Sequence, residues 1–432
     1  MYTSYIGRKF IAYYNRQKAK SYTAETFFLD KFFPCFFTDE GHLMHVANSP
    51  FHYAPAKAAV ATYKSKSAAQ LETLKESINE NKVYMGNYVG GPALGTDATT
   101  SGQLTSIGGI INREDVYASW IGAALGIGVS GGYVMLIDNE ELLLFLYKGW
   151  KKYKKYLEQT PGLKDKQIET WNGNWVSQRL ENPDCDDYDW IRAEKIMGKL
   201  AIRTESWAEV TFALARKFHR LESIIVYGYN LSQTNTTLGF VSLMVSEVKR
   251  LFEWRRKIFL QDDPGGLKEN HITTLATYYD FKAASKMGTV GLKALEPKEL
   301  REYMPKPFGR GKDFVYSKDA AQHFQIFKIW LMAMLNKIEL LNLADKVAIA
   351  LKEFAKSDKK GRSIRDQLSK EIRESKTRKQ FIDNLKAMLD EVPTEADDFY
   401  NIVEETLIMP VDHFPLFLTL IRFQYSYRTA KS

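Results

Sequence analysis

The sequence predicts an α+β, mostly helical fold, with a mixed α/β N-terminal body followed by a C-terminal helical bundle. Strand-like runs of β-branched and aromatic residues occur before residue 300, at 133–137, 223–229 and 238–241. From 319 onward, apolar residues instead recur at an alternating three-four spacing, which forms one helical face: Phe324, Phe327, Leu331, Met334, Ile338 and Leu341. Further helical patterns at 363–375, 377–389, 395–407 and 414–427 complete the predicted bundle.

The length of the chain predicts more than one domain. A chain of 432 residues exceeds the size at which a single core stops growing. The segment 304–312 holds two prolines and two glycines, which is typical of a linker. We therefore expect a body at 1–303 with a possible internal boundary near 158–165, a linker at 304–318 and the bundle at 319–432. Within the body, apolar spacing predicts helices at 54–79 and 139–157.

Composition favours a well-folded cytoplasmic protein with a polyanionic partner. Lys and Arg number 60 against 52 Asp and Glu, which gives a net charge of +8. Cys35 and Cys185 form no Cys-x-x-Cys pair, as expected in a reducing compartment. Charges near the start of the sequence argue against a signal peptide. Residues 116–137 carry no charge and are long enough to cross a bilayer, but their five glycines favour a buried core instead.

Basic residues concentrate in three clusters, which predict phosphate contacts. The first is interleaved with Trp150, Tyr153 and Tyr156, and the second surrounds Trp254, so aromatic rings there are candidates for stacking on bases. The third is the segment 306–386, which holds 19 Lys and Arg against 10 Asp and Glu. Each cluster alone is more typical of an ordinary solvated surface, whereas the three together favour contact with nucleic acid. The predicted phosphate-binding residues are Lys148, Lys151, Lys152, Lys154, Lys155, Lys249, Arg250, Arg255, Arg256, Lys257, Arg310, Lys312, Lys359, Lys360, Arg362 and Arg365.

A polar segment at 84–113, rich in glycine and threonine, is a candidate for contacts to base edges. Amide and hydroxyl side chains can address base edges, and glycine lets the backbone approach closely. The alternative is a polar surface turn. Together with two residues near a strand end, the candidates are Asn48, Ser49, Asn87, Thr99, Thr100, Ser101, Gln103, Asn112 and Arg113.

The sequence contains no catalytic motif that we recognise. It lacks the phosphate loop, the zinc-protease helix, the nucleophile elbow and the kinase signatures. His42, His45 and His52 have no common metal-site spacing, and the acidic run 184–189 is typical of a solvated loop. We therefore expect no catalytic residue, no metal and no cofactor. A metal-dependent enzyme that uses these residues is the alternative.

Three features resemble the large subunit of a type I, I-B-like CRISPR Cascade surveillance complex. The first is the aromatic and polar stretch FFLDKFFPCFFTDEGHLMHVANSPFHY at 27–53. The second is QTNTTLGF at 233–240, and the third is the basic helical bundle at the C-terminus. The resemblance covers the layout of the whole chain, while its local motifs are short.

The resemblance implies a role in antiviral defence without an active site in this chain. The body is expected to recognise the protospacer-adjacent motif (PAM) on target DNA at the crRNA 5′ end. The bundle, similar to a Cascade small subunit, is expected to help stabilise the R-loop, while guide pairing supplies most specificity. Implied partners are crRNA, target DNA, the backbone and small subunits and a recruited helicase-nuclease. Besides the enzyme, another RNA- or DNA-binding accessory subunit and a membrane-associated scaffold that uses 116–137 remain alternatives.

Overall fold

A computed structural model describes residues 1–80, 86–90, 112–183, 187–231, 237–259, 267–356, 362–391 and 396–431. Helices dominate, and strands are few and short, so the predicted α+β, mostly helical class is confirmed. The chain divides into two units. The first comprises Met1–Val245 and Asp280–Thr289, and the second comprises Ser246–Tyr279 and Val290–Ser432. The segment 304–318, predicted as a linker, lies inside the second unit.

The elements follow one another in this order. The helices are α1 Tyr2–Lys18, α2 Ala24–Phe27, a π-helical turn Phe28–Phe32, α3 Phe33–Phe36, α4 Lys57–Tyr63, α5 Lys66–Asn79, α6 Arg113–Ala123, α7 Glu140–Gln159, α8 Ile168–Arg179, α9 Trp207–Lys217, α10 Val245–Val248, α11 Arg250–Ile258, α12 Glu269–Thr273, α13 Phe281–Ser285, α14 Leu300–Tyr303, α15 Ala321–Leu335, α16 Ile338–Lys356, α17 Arg362–Arg373, α18 Arg378–Glu391, α19 Ala396–Ile408 and α20 Phe414–Ala430. The strands are β1 Ile127–Val129, β2 Tyr133–Ile137, β3 Ala193–Ile196, β4 Lys199–Ile202, β5 Ile224–Asn230, β6 Thr237–Leu243 and β7 Thr289–Val290.

An antiparallel sheet forms the centre of the first unit. Its strands are β1, β2, β5, β6 and β7 in that order. Met135 pairs with Gly228, and Tyr227 pairs with Phe240 on the next strand. A register shift at Gly228/Tyr229 interrupts the β5–β6 ladder, and such irregularities increase the local twist. Strands β3 and β4 form a separate hairpin.

Helices pack against this sheet and against one another through glycine. A Cβ at Gly122 of α6 would lie 1.9 Å from the Thr3 carbonyl oxygen of α1, so the two backbones are in direct contact. Gly173 of α8 approaches the carbonyl oxygen of Gly128 on β1 in the same way, at 2.3 Å from an added Cβ. Gly122 and Gly128, two of the five glycines at 116–137, therefore serve close packing within a folded core.

In the second unit, helices α15 to α20 form a bundle with an aromatic centre. Phe327 of α15 stacks on Phe423 of α20 at 5.8 Å between centroids. The Trp330 indole is buried and donates to the Leu292 carbonyl at 3.0 Å. The single helical face predicted at 319–341 is divided between α15 and α16, because Asn336 adopts a left-handed conformation (φ 50°) at the end of α15.

Two other elements differ from the prediction. The helix predicted at 54–79 is two helices, because Lys64 is left-handed (φ 60°) and the Ser65 side chain caps α5. Residues 116–137 do not form one span but contribute to α6, β1 and β2. No helix in the described ranges combines the length and the apolar character that a membrane crossing requires.

Candidate nucleic-acid interface

Helix α7 presents the first basic cluster on a well-anchored scaffold. The Asn139 side chain caps its start by accepting from the Leu142 amide at 3.0 Å. Glu140 and Glu141 occupy the first turn, where carboxylates interact favourably with the helix dipole, and the lysines follow toward the opposite end. The apolar side of α7 is buried in the first unit.

Four lysines of α7 share one side of the helix, which we call the α7 lysine face: Lys148, Lys151, Lys152 and Lys155. At 3.6 residues per turn they fall within an arc of about 100° and span roughly 10 Å along the axis. Lys148, Lys151 and Lys155 are exposed. These three ammonium groups form no ion pair with a carboxylate of the described residues. The face therefore carries concentrated positive charge toward solvent.

Lys154, the remaining member of the cluster, is held on another side of α7. Its ammonium donates to the Pro34 carbonyl at 3.0 Å and lies 4.0 Å from the Glu158 carboxylate. This lysine therefore helps to fix α7 against α3. The structure does not favour it as a phosphate ligand.

The aromatic rings interleaved with these lysines do not face solvent. Trp150 is 1% exposed and donates to the Ala124 carbonyl at 3.3 Å. Tyr153 is fully buried, and its hydroxyl accepts from the Gln167 amide at 3.0 Å. Burial raises the pKa of Tyr153 well above its usual range. The predicted stacking of bases on this cluster is therefore wrong for Trp150 and Tyr153, because both rings belong to the core. The third ring, Tyr156, is half-buried.

The second cluster surrounds α11 in the second unit and is partly neutralised. Lys249 lies 3.7 Å from the Glu253 carboxylate, and the Arg255 guanidinium donates to the Leu267 carbonyl at 2.6 Å. Trp254 is buried and donates to Asn336 at 3.2 Å.

Two side chains of this cluster remain at the surface. Arg256 and Lys257 are exposed, and the Lys257 ammonium lies 4.6 Å from the Trp254 ring centroid. Arg250 is half-buried. The surface that this cluster offers to phosphate is therefore smaller than its five basic residues predict.

In the described part of the third cluster, two basic side chains are neutralised by one carboxylate. Arg310 and Lys312 both pair with Glu302, at 3.1 and 2.7 Å, and the hydrogen bond from Lys312 lowers the pKa of that carboxyl. The Arg365 guanidinium lies over the Phe354 ring at 5.7 Å. Lys359, Lys360 and the side chain of Arg362 lie outside the described residues.

Two candidates for base contacts are buried. Ser49 is fully buried, and its hydroxyl donates to the Val46 carbonyl at 2.7 Å. Asn87 is 1% exposed, and its backbone carbonyl accepts from the Trp120 indole at 2.7 Å. The structure does not favour contact of either side chain with a base.

The other described candidates have local structural roles. Asn48 is left-handed (φ 60°), and its amide oxygen accepts from the Tyr53 hydroxyl at 3.1 Å. Asn112 caps α6 by accepting from the Glu114 amide at 2.6 Å. Arg113 pairs with Glu25 and donates to Asn79 at 2.6 Å. The remaining candidates lie outside the described residues: Thr99, Thr100, Ser101 and Gln103.

The histidines considered as metal ligands divide between two environments. His42 is buried against Phe37 and Phe51, with centroid distances of 5.2 and 6.0 Å. Burial lowers its pKa to about 4. His45 and His52 pack ring against ring at 5.1 Å. Within the described ranges, His, Cys, Asp and Glu form no group of three that could hold a metal ion.

A surface aromatic cluster with one exposed ring, Phe240, and two half-buried rings was not predicted. Tyr2, Tyr227 and Phe240 come from α1, β5 and β6, and their ring centroids lie 4.7 to 5.3 Å apart. Phe240 belongs to the segment QTNTTLGF, but that segment alone does not indicate its two partners. The rings come together because of the strand pairing and its register, which the local sequence does not determine.

Comparisons of the chain with protein-family models, with curated proteins and with solved structures found no match.

Proposed function

We propose that this chain is a nucleic-acid-binding subunit that holds phosphate groups on the α7 lysine face. The observation that carries the proposal is the exposure of Lys148, Lys151 and Lys155 on one side of a capped, well-packed helix. These three lysines form no ion pair with a carboxylate of the described residues, so their charge is available to phosphates. Contact with phosphate releases condensed counterions, which favours binding independently of sequence.

More specifically, we propose the large subunit of a type I CRISPR surveillance complex. The layout of a mixed α/β unit and a helical bundle supports this, together with the N-terminal and QTNTTLGF segments. In this role the chain binds crRNA and target DNA, contributes to recognition of the PAM and stabilises the R-loop. It acts as a binding subunit in the cytoplasm, and a recruited helicase-nuclease cuts the target.

Substitution of the free lysines tests the phosphate-binding proposal. We expect the triple change Lys148→Ala, Lys151→Ala and Lys155→Ala to weaken duplex DNA binding about tenfold at moderate salt. The slope of log affinity against log salt should fall by about 2 to 3, since each lost phosphate contact removes close to one counterion. Fluorescence anisotropy over a salt series measures both quantities.

A matched control separates this face from the general positive charge. Lys18, Lys195 and Lys199 are exposed lysines on α1 and on the β3–β4 hairpin, so their triple alanine variant changes the net charge equally. This control should keep most of the salt slope. Equal losses in the two variants would show that net charge, rather than the α7 lysine face, determines binding. An unchanged slope in the α7 variant would contradict the proposal.

A further inference from the structure

The sheet of the first unit carries a largely exposed aromatic ring, Phe240, on a face where two further rings are half-buried. Phe240 on β6 is 64% exposed, and Ile225 on β5 is 51% exposed. Tyr227 pairs with Phe240 across the two strands, so both side chains lie on the same face of the sheet. A large aromatic ring at the centre of a cross-strand pair is normally covered, because burial of its apolar area is favourable.

The first residues of α1 complete this surface. The Tyr2 ring lies 4.7 Å from Tyr227 and 5.2 Å, edge to face, from Phe240. Tyr227 and Phe240 are themselves 5.3 Å apart. Three rings from three elements thus converge, and we call them the aromatic surface (Tyr2, Tyr227 and Phe240).

Positive charge lies beside these rings. Tyr5 stacks on Tyr2 at 5.4 Å, and the Lys9 ammonium lies 5.5 Å from the Tyr5 ring centroid. Two turns further, the Arg16 guanidinium lies 5.3 Å from the Tyr13 ring, but it also pairs with the Glu140 carboxylate. The Lys9 ammonium therefore lies beside a row of aromatic rings on one side of α1, and single-stranded nucleic acid can place a phosphate and bases on such a combination.

Hydrogen bonds hold this row in place. The hydroxyls of Tyr5 and Tyr13 both donate to the Asp138 carboxylate, at 2.7 and 2.9 Å. Asp138 directly follows β2, so the row on α1 is fixed to the sheet. A preordered surface loses little conformational freedom when a ligand binds.

We propose that the aromatic surface binds unpaired bases of single-stranded nucleic acid by stacking. This inference rests on the proposed function, and it names the form of nucleic acid that the first unit prefers. A duplex hides the faces of its bases, whereas a single strand presents them. Lys9 is placed to contact a phosphate next to the stacked base.

Three substitutions at Phe240 test the proposal in the full chain. Its exposure means that they leave the core intact. We expect Phe240→Ala and Phe240→Leu to weaken binding of a short oligothymidine at least about fivefold, because both remove the aromatic face. Phe240→Tyr should restore most of the affinity. Binding of duplex DNA and the salt slope should stay as in the unaltered chain, since no charge changes.

The possible outcomes separate this inference from the proposed function. If Phe240→Leu binds oligothymidine as tightly as the unaltered chain, the surface makes a general apolar contact, such as one with a protein, and stacking is wrong. Equal weakening of duplex binding by Phe240→Ala would also overturn it. If the α7 lysine variant loses binding while all Phe240 variants keep it, only the stacking surface fails. An unaltered chain that binds neither probe would overturn both proposals.

Discussion

At the scale of single residues, His42 shows how burial sets the chemistry of a side chain. Its ring packs edge to face against Phe37 and Phe51, and its Nδ1 has no hydrogen-bond partner among the described residues. Burial is the main cause of its low pKa, and repulsion from Lys166 and Lys66 adds to it. A neutral, enclosed ring of this kind is a component of the core.

This environment makes the stability of the first unit depend on pH. In the unfolded chain a histidine takes up a proton near pH 6.5, whereas folded His42 resists protonation down to about pH 4. The unfolded state therefore binds more protons between these values, and His42 lowers stability as the pH falls through this window. His42→Leu should reduce the loss of unfolding free energy between pH 7 and pH 5 by about 1–2 kcal/mol. Urea unfolding at the two pH values measures it, and an equal loss in both proteins would contradict the assignment.

At the scale of elements, the contact between α1 and α6 depends on glycine. A Cβ at Gly122 would lie 1.9 Å from the Thr3 carbonyl oxygen and 2.8 Å from the Gly7 nitrogen. We expect Gly122→Ala to destabilise the protein by about 1–3 kcal/mol, because the two helices would have to move apart. The steric cost should exceed the gain of about 1 kcal/mol that alanine has over glycine in helix propensity.

A second glycine provides the control for this prediction. An added Cβ at Gly41 meets only the Leu157 side chain at 3.8 Å and the Asp165 side chain at 4.0 Å, which is ordinary contact. Gly41→Ala should therefore leave the urea midpoint nearly unchanged. Similar midpoints for Gly122→Ala and Gly41→Ala would show that the α1–α6 contact tolerates expansion.

The elements themselves are largely predictable from local chemistry. Strand β2 has the bounds that its apolar run predicts, and α7 begins directly after its capping residue Asn139. The predicted helices at 54–79 and 319–341 are interrupted because Lys64 and Asn336 are left-handed. A single left-handed residue does not change the spacing of the apolar residues, so such helix breaks are hard to predict from the sequence.

The candidate site is less predictable than the fold. The concentration of lysines on α7 is a local property, and helical spacing alone places Lys148, Lys151 and Lys155 together. The same spacing places Trp150 and Tyr153 on the apolar side with Leu142 and Leu146, a signal that predicts their burial. The aromatic surface has no such signal, because it depends on which strands pair and in which register.

At the scale of the whole molecule, the positive charge is divided between the two units. The α7 lysine face belongs to the first unit, whereas the α11 cluster and the pairs at Glu302 belong to the second. Several basic residues outside α7 lie in ion pairs, such as Arg310 and Lys312 with Glu302, so the 60 Lys and Arg residues overstate the side chains available to phosphate. Binding should therefore depend on a few positions rather than on the whole surface.

The proposed role in a CRISPR complex predicts a defined RNA partner. When the full chain is affinity-purified from the cells that produce it, we expect a short RNA of uniform length with a repeat-derived 5′ end, together with backbone and small subunits. Sequencing of the RNA and mass spectrometry of the proteins measure this. The Lys148/Lys151/Lys155 alanine variant should still copurify with the protein subunits, since their association does not require this face to hold target DNA. Heterogeneous RNA together with processing or replication proteins would instead favour a different nucleic-acid-binding accessory subunit. Phosphate contacts on α7 are independent of sequence, so they can hold any RNA or DNA strand. A guide RNA of uniform length, in contrast, requires a dedicated complex.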